Sequence, residues 1–327
     1  MEKINWGIIG CGDVTEVKSG PAFTKVKNSA LIAVMRRNAD KSRDYAERHH
    51  VPKWYADAGK LINDPDINAV YIATPPSSHE QYALAALKAG KSAYVEKPMA
   101  VNVESAKNML KAVQESNSKL VVAHYRREQP FFKKIKELVD QKMIGDVKFA
   151  RLHFYRKNLS KEELEIPKFA WRVNEAVAGG GLFHDIAPHQ LDMMCHLFGE
   201  VDKANGFAVN RNKLYKAADI ISGNILFKNK ILFSGTWHFD IGERNEEDHC
   251  EIVGGKGSIH FAFFDRQEIT IIQNQKTETI EFEKLKHVQQ PMIEKVVDYF
   301  MGQNPNPCPA EEGVKVMELL EKFTENK

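Results

Sequence analysis

Two segments of the chain combine residue types that can move protons. The first, YVEKPMA at residues 94–100, sets Lys97 between Glu96 and Pro98 after a short apolar run. In an open α/β sheet, ligands bind beyond the carboxyl ends of the strands, so a lysine there can face a bound group. A positive ring nearby and partial burial would both depress its pKa, suiting it to exchange a proton with a substrate oxygen. Glu96 could orient the lysine. Pro98 would fix the backbone that follows, through a cis bond if the turn requires one. The plain alternative is a solvated lysine at a strand end.

The second segment, GGGLFHDIAPHQLD at residues 179–192, turns on glycines into a helical pattern. Asp185 and His189 stand four residues apart and therefore on one helix face, with Asp192 on the same side one turn later. Such a trio can hold a hydroxyl and relay its proton. His189 is the natural acid, base or hydroxyl-orienting group because imidazole titrates near neutrality. The alternatives are a surface pair, a satisfied buried histidine, or a metal site using His184, Asp185 and His189. Metal is the weakest of these, since the adjacent His184 and Asp185 project from different sides of the helix, and no metal is expected.

A third segment, GIIGCGDVT, follows an apolar stretch and opens a helical one. In that context Gly10 permits a tight turn, and Gly12 lets the backbone approach a pyrophosphate at the helix N-terminus, with Asp13 and Val14 in the same first turn. The third fingerprint position is Thr15, which requires a wider helix–strand spacing or a shifted helix start. A glycine turn in an α/β fold without a nucleotide is the alternative. The second strand of such a unit normally ends in an acid that binds an adenosine ribose hydroxyl. Here it ends in Arg36 and Arg37, whose guanidinium groups can grip a 2′-phosphate. NADP(H) is therefore expected over NAD(H), the alternative being two solvated arginines.

The elements that must position these residues follow from the hydrophobic pattern. Apolar runs at 5–9, 30–35, 69–73, 92–95 and 120–123 alternate with helical patterns at 41–49, 80–89 and 103–115, which predicts a parallel sheet with crossovers. Ser77 and Glu80 have capping-box spacing. Beyond residue 123 come a helix at 131–142 and a strand at 147–155. Further strand-like runs lie at 204–209, 219–227, 231–239, 250–253, 258–261, 267–273 and 277–282. Their short spacing predicts a largely antiparallel sheet. Helices are expected at 181–198, 291–300 and 311–323. The fold class is thus α/β, with a Rossmann dinucleotide-binding domain at 1–123. A separate, substrate-binding α+β domain with a large, mostly antiparallel sheet is expected at 124–327.

The composition excludes several other classes. With 46 basic against 44 acidic residues, the net charge of +2 supplies no bulk field for nucleic acid or a membrane surface. No apolar run reaches the length of about eighteen residues that a spanning helix needs. The start of the chain lacks a charged leader with an apolar core. Cys11, Cys195, Cys250 and Cys308 form no CxxC pair, so reduced thiols in the cytoplasm are expected.

In order and spacing, the GCG turn, TPPSSH at 74–79, EKP at 96–98 and GGGxxxDxxxHxxD at 179–192 resemble the glucose-fructose oxidoreductase and inositol dehydrogenase family, Gfo/Idh/MocA. The resemblance spans essentially the whole chain. It implies a Rossmann domain followed by an open-faced α/β domain whose sheet mediates contacts in a homo-dimer or homo-tetramer. The catalytic trio it implies maps onto Lys97, Asp185 and His189. It adds Thr74, Pro75, His79, Glu96, Lys97, Trp171 and Arg172 to the cofactor side, and Tyr125, Tyr155 and Arg172 to the substrate side. Trp171 and Arg172 match a WR motif of sugar-active members, where an indole offers a flat face to a sugar ring and a guanidinium a fork for its hydroxyls. A core tryptophan beside a surface arginine is the alternative. Thr15 and the missing acid at Arg36 depart from the family pattern. The activity implied is NAD(P)-dependent hydride transfer to or from a small polyhydroxylated substrate. A cofactor-retaining, redox-neutral glycosidase and a non-catalytic dinucleotide sensor are the competing readings.

Overall fold

Strands buried on both faces need continuous apolar runs, and the first part of the chain supplies them in β1 (Ile4–Ile9), β2 (Ser29–Met35), β4 (Ala69–Ile72), β5 (Ser92–Val95) and β6 (Leu120–Val122). A computed structural model of the chain describes residues 3–325. Its first sheet has the order β3-β2-β1-β4-β5-β6 and is parallel throughout. The strand order reverses between β1 and β4, the switch point at which Rossmann sheets take their ligands. β3 (Lys53–Tyr55) has no counterpart in the hydrophobic pattern, being three residues long and half-buried at the sheet edge.

Helices α3 (Ala39–Arg48), α5 (His79–Lys88) and α6 (Val103–Gln114) occupy the expected crossovers, and α4 (Ala58–Ile62) adds a short turn before β4. The helix after the glycines is cut in two, α1 (Asp13–Val17) and α2 (Ala22–Lys25). A side chain at Gly20 would strike the Thr15 carbonyl and the Tyr45 hydroxyl, and Pro21, without an N–H, opens the second piece. The capping box expected at Ser77 does not form. The Ser78 hydroxyl turns back to Thr74 Oγ1 and the Pro75 carbonyl, and a 3-10 turn at Pro76–Ser78 leads into α5. A capping box does form at Ser160 with Glu163.

The chain falls into two compact units, one running up to Arg126 and joined by Leu285–Met317, the other comprising Arg127–Lys284 and the residues from Glu318. The expected division at 123/124 gave 285–317 to the second domain; side-chain chemistry puts them with the first. Phe300 of α12 (Gln290–Phe300) packs on Trp6 at 5.6 Å, and the Lys119 ammonium donates to the Tyr299 carbonyl at 2.7 Å. In α13 (Ala310–Thr324), a Cβ on Gly313 would stand 2.6 Å from Met99 Sδ.

The second unit opens with α7 (Pro130–Asp140) and β7 (Val147–Tyr155). Short helices α8 (Lys161–Glu165), α9 (Pro167–Ala170) and α10 (Glu175–Ala178) precede the long α11 (Gly181–Phe198). Strands β8 (Val201–Val209), β9 (Ile220–Phe227), β10 (Leu232–His238) and β11 (Glu247–Gly254) follow, then β12 (Gly257–Phe261), β13 (Glu268–Gln273) and β14 (Lys276–Glu281). The sheet order is β14-β13-β12-β11-β7-β10-β9-β8, antiparallel except for the β7–β10 pair. Alternate residues of β7, Ala150, Leu152 and Phe154, are buried. α11 seats on the same face, where Phe183 meets Trp237 at 5.1 Å and the Trp237 indole N–H donates to Gln190 Oε1 at 2.6 Å. Among the described residues no helix is long and apolar enough to cross a membrane.

Candidate active site

Gly10 leaves β1 with φ +95°, and its amide and that of Cys11 donate to the Met35 carbonyl at the end of β2. A Cβ at Gly10 would lie 2.8 Å from the Thr74 amide nitrogen, so the ends of β1 and β4 approach as closely as glycine allows. Gly12 differs in kind. A Cβ there would meet nothing nearer than the Gly10 carbonyl oxygen at 3.9 Å, so its Cα borders open space at the start of α1. That is the cradle a dinucleotide pyrophosphate requires. Asp13 and Val14 form the first turn beside it. Thr15 is fully buried and turns its hydroxyl onto the Gly12 carbonyl at 2.8 Å, which satisfies the extra polar atom within the turn itself.

Arg36 is the first residue beyond β2, exposed, and its Nη1 donates to the Cys11 carbonyl at 3.4 Å. A guanidinium thus borders the glycine turn where the family pattern has a carboxylate. Arg37 beside it is also exposed. The Cys11 thiol is pushed up to about 11 by burial.

Across the sheet, β5 ends in Glu96 and Lys97, and the Lys97–Pro98 bond is cis. Glu96 is buried among aromatic rings, and its Oε1 accepts from the Tyr71 hydroxyl and from Gln289 Nε2, each at 2.5 Å. Its Oε2 accepts from the Lys97 amide at 3.2 Å. Lys97 is half-buried. Burial drives the Tyr71 and Tyr94 hydroxyls well above the usual phenol range, so both stay protonated donors.

His79, expected on the cofactor side, presents no ring nitrogen to a ligand. It is fully buried, with Nε2 2.7 Å from the Thr74 carbonyl oxygen and Nδ1 3.0 Å from that of Pro98. It ties the turn of Thr74 and Pro75 to the turn after Lys97. Burial lowers its pKa.

The second unit carries the other candidate residues, Trp171, Arg172, Asp185 and His189. Gly181 opens α11 at φ +73°, and a Cβ there would meet that of Ala217 at 2.5 Å, while the His184 ring fills the space a Gly180 side chain would need. Asp185, half-buried on the first turns, accepts from Arg172 Nε at 3.0 Å. The Arg172 guanidinium lies 4.9 Å over the Trp171 ring and also donates to the Lys168 carbonyl, so Trp171, Arg172 and Asp185 form one stacked and paired group. His189 is buried one turn beyond Asp185, with Pro188 inside the helix just before it.

Two expectations change here. Asp192 does not join a relay with Asp185 and His189, because the Arg127 guanidinium holds its carboxylate, Nη2 to Oδ1 at 2.6 Å and Nε to Oδ2 at 2.9 Å. Tyr155 alternates with the buried Phe154 and so points to the open face of the sheet, where it stacks on His153 at 5.6 Å. It is not gathered with Asp185 and His189. Tyr125 lies buried in a 3-10 turn after β6, with the Arg126 guanidinium 5.8 Å from its ring.

Some participants carried no signal in the sequence. The Phe264 ring stands edge-on to His189 at 5.8 Å, on a turn whose Phe263, Phe264 and Asp265 amides all donate to the buried Asp248 carboxylate. Burial raises the Asp248 pKa despite these donors. Gln289, which anchors Glu96, sits in a polar stretch that reads as an ordinary helix start.

Fold and site together define a nicotinamide-dinucleotide oxidoreductase of the Rossmann type. Residues 4–124 match the oxidoreductase family with an NAD-binding Rossmann fold, and residues 132–260 match the GFO/IDH/MocA C-terminal domain. The chain belongs to the Gfo/Idh/MocA family. It is 49% identical over 321 residues, 98% of each chain, to Oxidoreductase P35 of Formosa agariphila. To the myo-inositol 2-dehydrogenase of Thermotoga maritima it is 26% identical over 276 residues, 83% of this chain and 78% of the other. The structure of a levoglucosan dehydrogenase in complex with NADH and levoglucosan superposes with a TM-score of 0.86 at 23% identity, covering 98% of this chain and 96% of that one. At that identity the likeness speaks to the fold.

Proposed function

We propose that the protein is an NADP(H)-dependent oxidoreductase that transfers a hydride between nicotinamide and a carbinol or carbonyl carbon of a sugar, polyol or related compound. The observation that carries this reading is the placement of Lys97 at the carboxyl end of β5, on the same sheet edge as the Gly10–Gly12 turn, with Glu96 locked behind it. The names of two relatives, a myo-inositol dehydrogenase and a levoglucosan dehydrogenase, support the substrate class. Arg36 beside the Cys11 carbonyl supports a 2′-phosphate on the cofactor.

A nicotinamide dinucleotide seated at the glycine turn supplies the hydride acceptor or donor. The chain's own residues do the rest. Lys97, with His189, takes the hydroxyl proton when a carbinol is oxidised and returns it when a carbonyl is reduced. Asp185 and Arg172 orient hydroxyls of the substrate, with the Trp171 face against its ring. Thr74 and Pro75 border the cofactor, and Tyr125 borders the substrate. Four buried free thiols, Cys11, Cys195, Cys250 and Cys308, suit a reducing compartment, and a cytoplasmic setting belongs to this reading.

Phe207, Val209, Leu232 and Ile272 are exposed on the outer face of the second sheet. A second copy covering them, in a homo-dimer or homo-tetramer, is part of the proposal. The test is a panel of sugars and polyols followed by NADPH and NADH absorbance in both directions. Turnover with at least one polyol supports the reading; tight dinucleotide binding with no turnover across the panel overturns it.

A further inference from the structure

We propose that Gln289 is a positioning residue for Lys97, acting through Glu96. This rests on the reading of Lys97 as the proton-handling group. The Glu96 carboxylate is 6% exposed, and a carboxylate so placed survives burial only if its oxygens are well supplied with donors. Two donors converge on Oε1, and one of them is the Gln289 amide.

The direction of that amide is fixed from behind. The Tyr94 hydroxyl donates to Gln289 Oε1 at 3.1 Å, leaving Nε2 to face Glu96, and Gln289 is itself fully buried. The rings of Tyr71 and Tyr94, which carry the hydroxyls bonded to Glu96 and to Gln289, stack on each other at 5.2 Å. Glu96 then accepts from the Lys97 amide, which leads straight into the cis Pro98 turn clamped by His79.

Gln289 also acts through its backbone. Its own amide donates to the Lys18 carbonyl at 3.2 Å, and two residues earlier His287 Nδ1 lies 2.6 Å from the Val17 carbonyl oxygen. One short segment therefore braces the end of α1, the helix of the glycine turn, and the strand end that presents Lys97. A shift in either is transmitted to the other, so the cofactor turn and the lysine stay in a fixed relation. Asn would be one methylene too short to keep both contacts.

The test is a double-mutant cycle on the full-length protein, using whichever polyol gives turnover. Gln289→Leu lowers kcat by about tenfold to a hundredfold, the cost of a misplaced catalytic group, while the KM values change little. Glu96→Gln lowers it similarly. In the Glu96→Gln background, Gln289→Leu costs no more than about twofold further, because its whole effect runs through the missing carboxylate. Dinucleotide affinity measured without substrate, read from tryptophan fluorescence, stays within about twofold in Gln289→Leu, and far-UV circular dichroism with the urea midpoint verifies folding. Losses that multiply in the double variant, or a Gln289→Leu effect confined to KM, overturn the proposal. If Gln289→Leu fails to fold, the milder Tyr94→Phe, which frees the amide to turn, must show the same kcat loss and the same dependence on Glu96. Lys97→Ala is run in parallel: full turnover there defeats the reading of Lys97 itself, whereas its collapse beside multiplicative losses defeats only the role of Gln289.

Discussion

Arg127 and Asp192 form an ion pair with 6% and 1% of their side chains exposed, the Arg127 Nε and Nη2 both bonded to the one carboxylate. Asp192 shares the helix face of Asp185 and His189 in the helical pattern, yet the pair commits it to packing. Its charge pins the middle of α11 to the chain that opens the second unit.

Breaking that pair leaves an uncompensated charge in the interior, which typically costs about 3–5 kcal/mol. Asp192→Ala should therefore lower the urea midpoint sharply. Arg127→Ala should do the same, and the two losses should not add. Unfolding at wild-type urea concentration in either variant would show that the pair contributes nothing to the fold.

The catalytic assignment predicts a different pattern. Lys97→Ala and His189→Ala should each lower kcat by about a hundredfold or more while the urea midpoint stays near wild type, since positioned proton transfer is worth about that much. Steady-state kinetics on the best polyol, beside urea melts, separates the two effects. Undiminished turnover in both variants refutes the assignment.

Cofactor choice turns on Arg36. Arg36→Asp replaces a fork for a 2′-phosphate with a carboxylate that repels it and can accept from a ribose hydroxyl. The ratio of kcat/KM for NADPH over NADH should fall by about tenfold or more, each factor of ten being about 1.4 kcal/mol. An unchanged ratio counts against NADP(H).

A pH dependence follows from Glu16 on α1. The Arg48 guanidinium, with both Nη atoms 2.8 Å from its oxygens, and His49 at 2.9 Å lower its carboxyl to about 2. In the unfolded chain a glutamate titrates near about 4.3. A carboxylate depressed in the folded state contributes stability that is complete above the unfolded value and is lost as pH falls toward the folded one. The wild-type urea midpoint should accordingly drop more steeply than that of Glu16→Gln between about pH 4.5 and pH 2.5. Solvent reaches the pair, so added salt should shrink the difference. Parallel curves for the two proteins would remove the contribution assigned to Glu16.

Much of the architecture was legible in the chain because it is written in local periodicity. The runs that became β1, β2, β4, β5 and β6, and those of the second sheet, differ from the observed strands by a few residues at their ends. β3 escaped because three half-buried edge residues leave no apolar run to detect. The helix expected after Gly12 forms as two short pieces, because the close contact of Gly20 with Thr15 and Tyr45 and the missing N–H of Pro21 interrupt it. His79 was assigned to the cofactor from its motif, but burial against two carbonyls gives it a bracing role.

What the sequence determined by itself was the class: a dinucleotide turn, a lysine at a strand end and an Asp–His pair on one helix face. Each of these depends on residues within a few positions of one another, whose geometry the backbone's own repeat dictates. Only the tertiary structure decided which charges are consumed and which are braced. Asp192 is answered by Arg127 from 65 residues away, and Glu96 by Gln289 from 193 residues away. No periodicity records such pairs, because they form only where packing brings distant segments together and burial obliges every polar atom to find a partner.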